Sequence, residues 1–176
     1  MIEEAAAFAE RVHRGTFRKG TTIPYIVHPM ETAVIVSGFT DEEEMIAAAL
    51  LHDVVEDAGV TGEELEARFG CRVKELVLAE SEDKSKSWEQ RKAFTLSHLA
   101  DSSRDVKILA LGDKLSNMRA TARDYMVVGD EIWQRFNEKD REWHRWYLAG
   151  ILVGLQELEH FTAYQELRQL YHFVYS

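Results

Sequence analysis

Four ionisable side chains occur close together in a segment that is otherwise apolar. His52 and Asp53 are followed one helical turn later by Glu56 and Asp57, and the other residues of 45–55 are all apolar. A helix that is apolar on every side is normally buried, and burying charged groups is costly unless a partner compensates for them. The spacing places all four groups on one helical face. A bound cation is the simplest partner for the three neighbouring carboxylates.

Two further segments carry residues that suit the same cation. His28 precedes Pro29, which is typical of a first helical turn, so we expect His28 at the start of a helix. Asp113 interrupts another largely apolar segment, 108–118. Imidazoles together with carboxylates suit Mn²⁺, Fe²⁺, Co²⁺ or Zn²⁺ better than Ca²⁺ or Mg²⁺, which prefer oxygen ligands alone. The predicted ligands of one divalent ion are His28, His52, Asp53 and Asp113.

Some of these residues also have an interpretation that needs no metal. An ion pair with Lys107 or Arg119 is an alternative for Asp113, although Asn117 on the same helical face favours the ligand interpretation. The acids at 56–57 are alternatively a solvated pair at a helix end. Carboxylates near a helix C-terminus oppose the helix dipole, which mildly favours a functional role.

Length and composition exclude several classes of protein. The chain has 176 residues, one cysteine and a net charge of −10, which argues against non-specific binding to nucleic acid or anionic membranes. No apolar run approaches the roughly 18 to 20 residues that span a bilayer, and the acidic N-terminus does not resemble a signal peptide. We therefore expect a cytoplasmic monomer or homodimer with no nucleic-acid or membrane partner, in a compartment that keeps Cys71 reduced.

Helical periodicity predominates along the chain, and both prolines lie near the N-terminus. The pattern predicts an all-α fold, with 1–176 forming a single domain, a bundle of about eight to ten helices. Capping patterns predict helix starts at Thr40, Thr61 and Ser87, and glycines predict helix ends at Gly59 and Gly70. The predicted helices are 2–14, 30–38, 41–57, 62–69, 71–80, 88–100, 104–124, 139–158 and 161–173.

The motifs occur in a fixed order along the chain. They are Arg18-Lys19 in an irregular loop, PYIVHP (24–29), AALLHDVVED (48–57), TGEELEARFG (61–70), SEDKSKSWEQRK (81–92) and LALGDKLSNMR (109–119). This set resembles the HD phosphohydrolase superfamily, whose pattern is a spaced His, His-Asp and Asp. More narrowly, it is similar to the hydrolase domain of the RelA/SpoT homologues in its small stand-alone form. The resemblance covers about residues 5–157.

The resemblance implies an HD-type helical bundle that hydrolyses (p)ppGpp, releases pyrophosphate from the 3′ position and leaves GDP or GTP. It also implies a site of three parts: ligands of one Mn²⁺, acids that activate water, and residues that bind the nucleotide. The implied metal ligands are His28, His52, Asp53 and Asp113. The implied water-activating acids are Glu56 and Asp57, and the implied nucleotide-binding residues are Arg18, Lys19, Lys114 and Asn117. The family usually has Ala where this chain has Gly112.

Several alternatives stay open at this point. Relatives often present a tyrosine to the nucleotide from the region of 142–147, where Trp143, His144, Trp146 and Tyr147 are all candidates. Another nucleotide, such as a different alarmone or NADPH, is an alternative substrate. A catalytically silent regulatory module and a two-iron oxygenase are alternative functions. The oxygenase needs additional ligands, and the silent module is disfavoured because every predicted ligand and acid is present.

Overall fold

The computed structural model describes residues 1–176 and is all-helical, as predicted. Phe17 and Pro24 form an isolated antiparallel bridge, and there is no strand. No helix combines the length and the apolar character needed to cross a membrane. The helices are α1 (Ile2–Val12), α2 (Val27–Ser37), α3 (Glu43–Leu51), α4 (Val54–Ala58), α5 (Gly62–Phe69), α6 (Cys71–Glu80), α7 (Trp88–Leu99), α8 (Arg104–Val128), α9 (Arg141–Gly154) and α10 (Thr162–Tyr175). Two 3₁₀ helices cover Gly129–Arg135 and Gln156–Leu158.

The first of two compact units consists of Met1–Glu82 and Ser103–Asp113. Its central element is α3, which contacts α1, α2 and α6. The α3 residues from Ala47 to Ala49 have no exposed surface at all, and Leu51 is equally buried. Small alanine side chains let neighbouring helices approach closely, which explains why a helix apolar on every side lies in the middle of this unit.

The second unit consists of Asp83–Ser102 and Lys114–Ser176. In it, α9 packs against both α7 and α10. Two long-range polar contacts stabilise the unit. Arg119 binds the carboxylate of Glu166 through two nitrogen atoms, at 2.6 and 2.7 Å, and the Tyr164 hydroxyl donates to the carbonyl oxygen of Leu152 at 2.9 Å.

The predicted helix over 41–57 is wrong in one respect, because the chain breaks it in two. His52 is the last residue associated with α3 and Asp53 precedes α4, with backbone angles of φ −95° and ψ −5° at Asp53. These angles lie in the bridge region rather than in the centre of the helical region. Apolar periodicity cannot detect such a break, since the residues on both sides remain helical and buried.

Most predicted helix ends are confirmed. Thr61 and Ser87 cap α5 and α7 with their side chains, and Ser87 forms a full capping box. Gly59 and Gly70 have positive φ angles of 68° and 88°. Thr40 is the exception: α3 begins at Glu43, and the Thr40 hydroxyl accepts a hydrogen bond from the Glu42 backbone N–H instead of capping the helix.

Candidate active site

Three separate segments of the first unit bring imidazoles and carboxylates together. His28 lies in the first turn of α2, His52 and Asp53 lie at the junction of α3 and α4, and Asp113 lies in α8. His28, His52 and Asp113 are 2%, 3% and 7% exposed, so these polar groups belong to the interior of the unit. Because buried polar groups need partners, their convergence demands an explanation.

The distances between the predicted ligand atoms are short. The Nε2 atoms of His28 and His52 lie 3.1 Å apart. Oδ1 of Asp113 lies 3.2 Å from Nε2 of His28 and 3.6 Å from Nε2 of His52. Oδ2 of Asp53 lies 3.4 Å and 3.0 Å from the same two nitrogens. His28, His52 and Asp113 form a group whose ligating atoms all lie within 4.8 Å of one another. Asp53 is not part of that group, and it contacts the two histidines.

A backbone contact fixes the orientation of His52. Its Nδ1 lies 2.8 Å from the carbonyl oxygen of Ala49, one turn earlier in α3. A carbonyl oxygen only accepts, so Nδ1 carries the proton and donates. Nε2 of the neutral ring is therefore the atom with the free electron pair, and it faces the centre of the cluster, as a metal ligand must.

The absence of a side chain at Gly112 brings α8 close to α2. A Cβ atom built at this position would lie 2.9 Å from Cγ2 of Val36 and 3.3 Å from Cγ2 of Thr32. Thr32 in turn donates from its hydroxyl to the carbonyl oxygen of His28 at 3.0 Å. Gly112 therefore allows Asp113 to approach the turn of α2 that carries His28.

The charges of the cluster perturb one another strongly. Burial alone lowers the pKa of His52, but the carboxylates of Asp53 and Asp113 raise it well above its ordinary value. Burial alone raises the pKa of Asp53, but the neighbouring histidines hold it well below its usual range. In the absence of a metal, the ionised carboxylates therefore favour a protonated imidazole, which supplies the positive charge that a metal ion would otherwise supply.

Two residues of this site have no role assigned from the sequence. The Tyr25 hydroxyl donates to Oδ2 of Asp53 at 2.6 Å, and the buried ring of His13 lies 4.9 Å from the Tyr25 ring. Burial, with a further contribution from Asp53, raises the pKa of Tyr25 far above its ordinary value. The only sequence signal for Tyr25 is its place within PYIVHP. His13 gives no signal, because a histidine that ends α1 is unremarkable in sequence.

The two predicted water-activating acids lie in α4, directly after Asp53. Glu56 is half-buried and accepts a hydrogen bond from the backbone N–H of Glu82, whereas Asp57 is exposed. The charge of Asp57 contributes to the raised pKa of Tyr25. It also acts to raise the pKa of His13, which burial lowers. Asp57 therefore contributes to the electrostatic environment of the cluster.

The basic loop between α1 and α2 is folded back on itself. The backbone N–H of Arg18 donates to the Ile23 carbonyl, and that of Tyr25 to the Thr16 carbonyl, both at 2.9 Å. The Arg18 guanidinium lies 5.7 Å from the centre of the Tyr25 ring, within cation–π range. Lys19 is exposed. The loop thus presents one charge against the ring of Tyr25 and one to solvent.

Lys114 and Asn117 follow Asp113 in α8 and are half-buried members of the second unit. Arg119, one of the two alternative ion-pair partners of Asp113, binds the carboxylate of Glu166 through two nitrogen atoms. His144, the spare histidine of the oxygenase alternative, has its Nε2 2.8 Å from the carbonyl oxygen of Glu138.

Aromatic side chains near His144 form a cluster inside the second unit. Trp88 lies 6.4 Å from Trp143 and 6.1 Å from Tyr147, measured between ring centres. The Lys92 ammonium lies 4.8 Å from the centre of the Tyr147 ring. Trp146 is 39% exposed. These contacts do not single out one aromatic residue as the partner of a nucleotide.

Comparison with known proteins gives consistent similarities. The HD domain family matches residues 5–140. Proteins named guanosine-3′,5′-bis(diphosphate) 3′-pyrophosphohydrolase MESH1 are similar over most of their length. The Mus musculus protein is 42% identical, and the match covers 96% of this chain and 91% of the relative. The Xenopus tropicalis protein is 40% identical, and the match covers 89% of this chain and 85% of the relative. The Homo sapiens protein is 38% identical, with 87% and 83% covered.

Two solved structures share the fold. One is a metazoan ortholog of SpoT, described as hydrolysing ppGpp and playing a role in starvation responses. It superposes with a TM-score of 0.82 at 27% identity, covering 97% of this chain and 93% of its own. The other is lmo0812 from Listeria monocytogenes, with a TM-score of 0.78 at 30% identity, covering 84% and 98%.

Proposed function

Because this chain belongs to the HD-domain family, and within it to the MESH1 proteins, we propose that it hydrolyses (p)ppGpp. The products are pyrophosphate, released from the 3′ position, and GDP or GTP. The observation that carries the proposal is the convergence of two imidazole nitrogens and two carboxylates in the interior of the first unit. If these groups served only to stabilise the fold, apolar side chains would do so better.

The chemistry and spacing of these donors fit one divalent ion. Ligand bonds of about 2.1 Å at right angles or tetrahedral angles separate neighbouring ligand atoms by about 3.0 to 3.4 Å. The separations between the histidine nitrogens and the carboxylate oxygens run from 3.0 to 3.6 Å. We propose Mn²⁺, one per chain, held by His28, His52, Asp53 and Asp113, with other divalent transition metals as alternatives.

The remaining predicted residues have distinct roles in this proposal. A divalent ion held by these residues would lower the pKa of an attacking water and would offset phosphate charge. Glu56 and Asp57 take up the proton that the water loses, because α4 places them one turn beyond Asp53. The backbone hydrogen bond to Glu56 limits the movement of its side chain.

The nucleotide requires local positive charge, since the chain as a whole carries −10 and repels polyphosphates at long range. We propose that Arg18 and Lys19 supply it from the loop before α2, and that Lys114 and Asn117 contribute from α8. The folded-back loop supports this role, because backbone hydrogen bonds from Arg18 to Ile23 and from Thr21 to Arg18 fix the segment that carries both basic residues.

The decisive experiment is a turnover assay of the purified protein with Mn²⁺ and, separately, ppGpp, pppGpp and NADPH. We expect pyrophosphate from the two guanosine alarmones, and no turnover after the metal is removed with a chelator. The variant Asp53→Ala serves as the inactive control for contaminating enzymes, and Asp101→Ala, at an exposed aspartate beyond α7, serves as its matched control. Cleavage of NADPH with ppGpp left intact would contradict the proposal that (p)ppGpp is the substrate. Full activity of Asp53→Ala would contradict the proposal that Asp53 is a metal ligand.

We propose in addition that the protein is a cytoplasmic monomer or homodimer that binds neither nucleic acid nor membranes. The exposed thiol of Cys71 fits a reducing compartment, and the negative net charge disfavours polyanionic partners. Light scattering after size-exclusion chromatography measures the mass of the assembly. A species larger than a dimer would contradict this proposal.

A further inference from the structure

A phenol and a carboxylate form a short hydrogen bond at the edge of the cluster. The hydroxyl oxygen of Tyr25 lies 2.6 Å from Oδ2 of Asp53, and because an ionised carboxylate only accepts, the phenol donates. The same Oδ2 atom lies 3.0 Å from Nε2 of His52 and 3.4 Å from Nε2 of His28. One oxygen atom therefore has the phenol on one side and both imidazoles within reach.

We propose that Tyr25 is a positioning residue of the metal centre, whose hydroxyl holds Oδ2 of Asp53 in the place where that atom binds the ion. The inference rests on the proposed function, since it takes Asp53 as a ligand. A free aspartate side chain rotates about two bonds and can offer either oxygen. A donor that fixes one oxygen removes this freedom before the ion arrives, which strengthens binding.

Elements that carry no ligand hold Tyr25 itself in place. Its backbone N–H donates to the carbonyl of Thr16 at 2.9 Å. The ring of His13, at the end of α1, lies 4.9 Å away between centres, and the Arg18 guanidinium lies 5.7 Å from the ring centre. His13 is 4% exposed, and its Nε2 has no hydrogen-bond partner, so its ring contact with Tyr25 is a packing interaction. The phenol thus has contacts from both α1 and the loop.

The protonation state of Tyr25 is consistent with a permanent donor. Burial and the charge of Asp53 raise the pKa of the phenol far above its ordinary value. A neutral phenol also adds no charge to the ligand set, so its effect is confined to orientation and to one hydrogen bond.

The test compares the metal affinity of the wild type with that of Tyr25→Phe, measured with Mn²⁺ and Co²⁺ alone by competition against a chromophoric chelator. Phenylalanine keeps the ring and its contacts with His13 and Arg18. We expect the dissociation constant to rise about 10- to 100-fold, the usual effect of losing an outer hydrogen bond to a ligand. We also expect the visible spectrum of bound Co²⁺ to change, and at saturating Mn²⁺ the nucleotide KM to stay the same while kcat falls.

Tyr164→Phe is the matched control, because the hydroxyl of the buried Tyr164 likewise donates one hydrogen bond, to a backbone carbonyl in the second unit. Its metal affinity and Co²⁺ spectrum should equal those of the wild type. Equal affinity and an unchanged Co²⁺ spectrum in Tyr25→Phe would overturn the positioning role, as would an equal loss in both variants. A wild type that binds no divalent ion would instead overturn the proposed metal centre, so the two failures are distinguishable.

Discussion

At the scale of single residues, the site depends on charges that the fold forces together. His52 and Asp53 are adjacent in the chain, and their side chains meet those of His28 and Asp113 within 3.6 Å. Without a cation, the carboxylates compensate by raising the pKa of His52. This makes proton binding and metal binding competitors for the same group of atoms.

The competition predicts how metal affinity depends on pH. The folded-state pKa of His52 is raised above its unfolded value of about 6.5. Its protonation therefore stabilises the metal-free protein below that value, and the stabilisation is lost as the pH rises through the folded-state pKa. Because a ligating imidazole must be neutral, Mn²⁺ affinity should rise with pH, by about tenfold per unit for one released proton. Titration calorimetry in buffers of different ionisation enthalpy measures this proton, and an absence of proton release would contradict the prediction.

The acids of α4 should affect catalysis without affecting the metal. We expect Glu56→Gln or Asp57→Asn to lower kcat about 100-fold or more, the usual contribution of general acid–base catalysis, while the dissociation constant of Mn²⁺ stays within about twofold. Glu63→Gln, at an exposed acid in α5, is the control and should leave kcat unchanged. A parallel loss of metal affinity in either variant would show that the acid is a ligand rather than a proton acceptor.

At the scale of elements, two features of the backbone bring the ligands together. The break between α3 and α4 lets the side chains of His52 and Asp53 both reach the cluster, although the two residues are adjacent in the chain. Nδ1 of His52 meanwhile donates to the carbonyl oxygen of Ala49 in α3. The close approach of α8 to α2 at Gly112 brings Asp113 within reach of His28. Both features are local departures from regular helix packing.

Gly112→Ala tests the second feature. Alanine favours a helix by about 1 kcal/mol over glycine, but its Cβ would lie 2.9 Å from a methyl group of the stiff Val36 side chain, and overpacking costs about 1 to 3 kcal/mol. We expect the free energy of unfolding of the metal-free protein to fall by about 1 kcal/mol, measured by urea denaturation.

Val36→Ala supplies the matched background, because it removes the methyl group that would lie nearest to the new Cβ. In that background, Gly112→Ala should instead raise the free energy of unfolding, by up to about 1 kcal/mol. The same effect of Gly112→Ala in both backgrounds would show that the close approach of α2 and α8 is not what excludes alanine.

At the scale of the whole molecule, the chain forms two compact units that share one helix. Residues of α8 up to Asp113 belong to the first unit, and those from Lys114 onward belong to the second. That 1–176 behaves as one domain stays a prediction.

A single domain predicts one cooperative unfolding transition. Differential scanning calorimetry of the metal-free protein should give a calorimetric enthalpy equal to the van't Hoff enthalpy. We also expect Mn²⁺ to raise the midpoint temperature of this single transition, because the ion binds only the folded state. Two resolved transitions, of which Mn²⁺ shifts only one, would show that the units unfold separately.

The sequence alone determined the residue types, the helical class and most helix ends. Periodicity and capping depend on residues within one or two turns, so Thr61, Ser87 and Gly59 specify their own structure. The order of histidines and aspartates indicated a metal site for the same reason, since ligand chemistry belongs to the side chain itself.

Only the tertiary structure decided which atoms meet. The hydrogen bond between Tyr25 and Asp53 joins residues 28 positions apart, and no local propensity encodes it. The break after α3 and the absence of the predicted cap at Thr40 likewise depended on contacts or backbone angles that apolar periodicity does not report. Long-range packing selects one arrangement from the several that local preferences allow, and at this site it selected the one that concentrates charge.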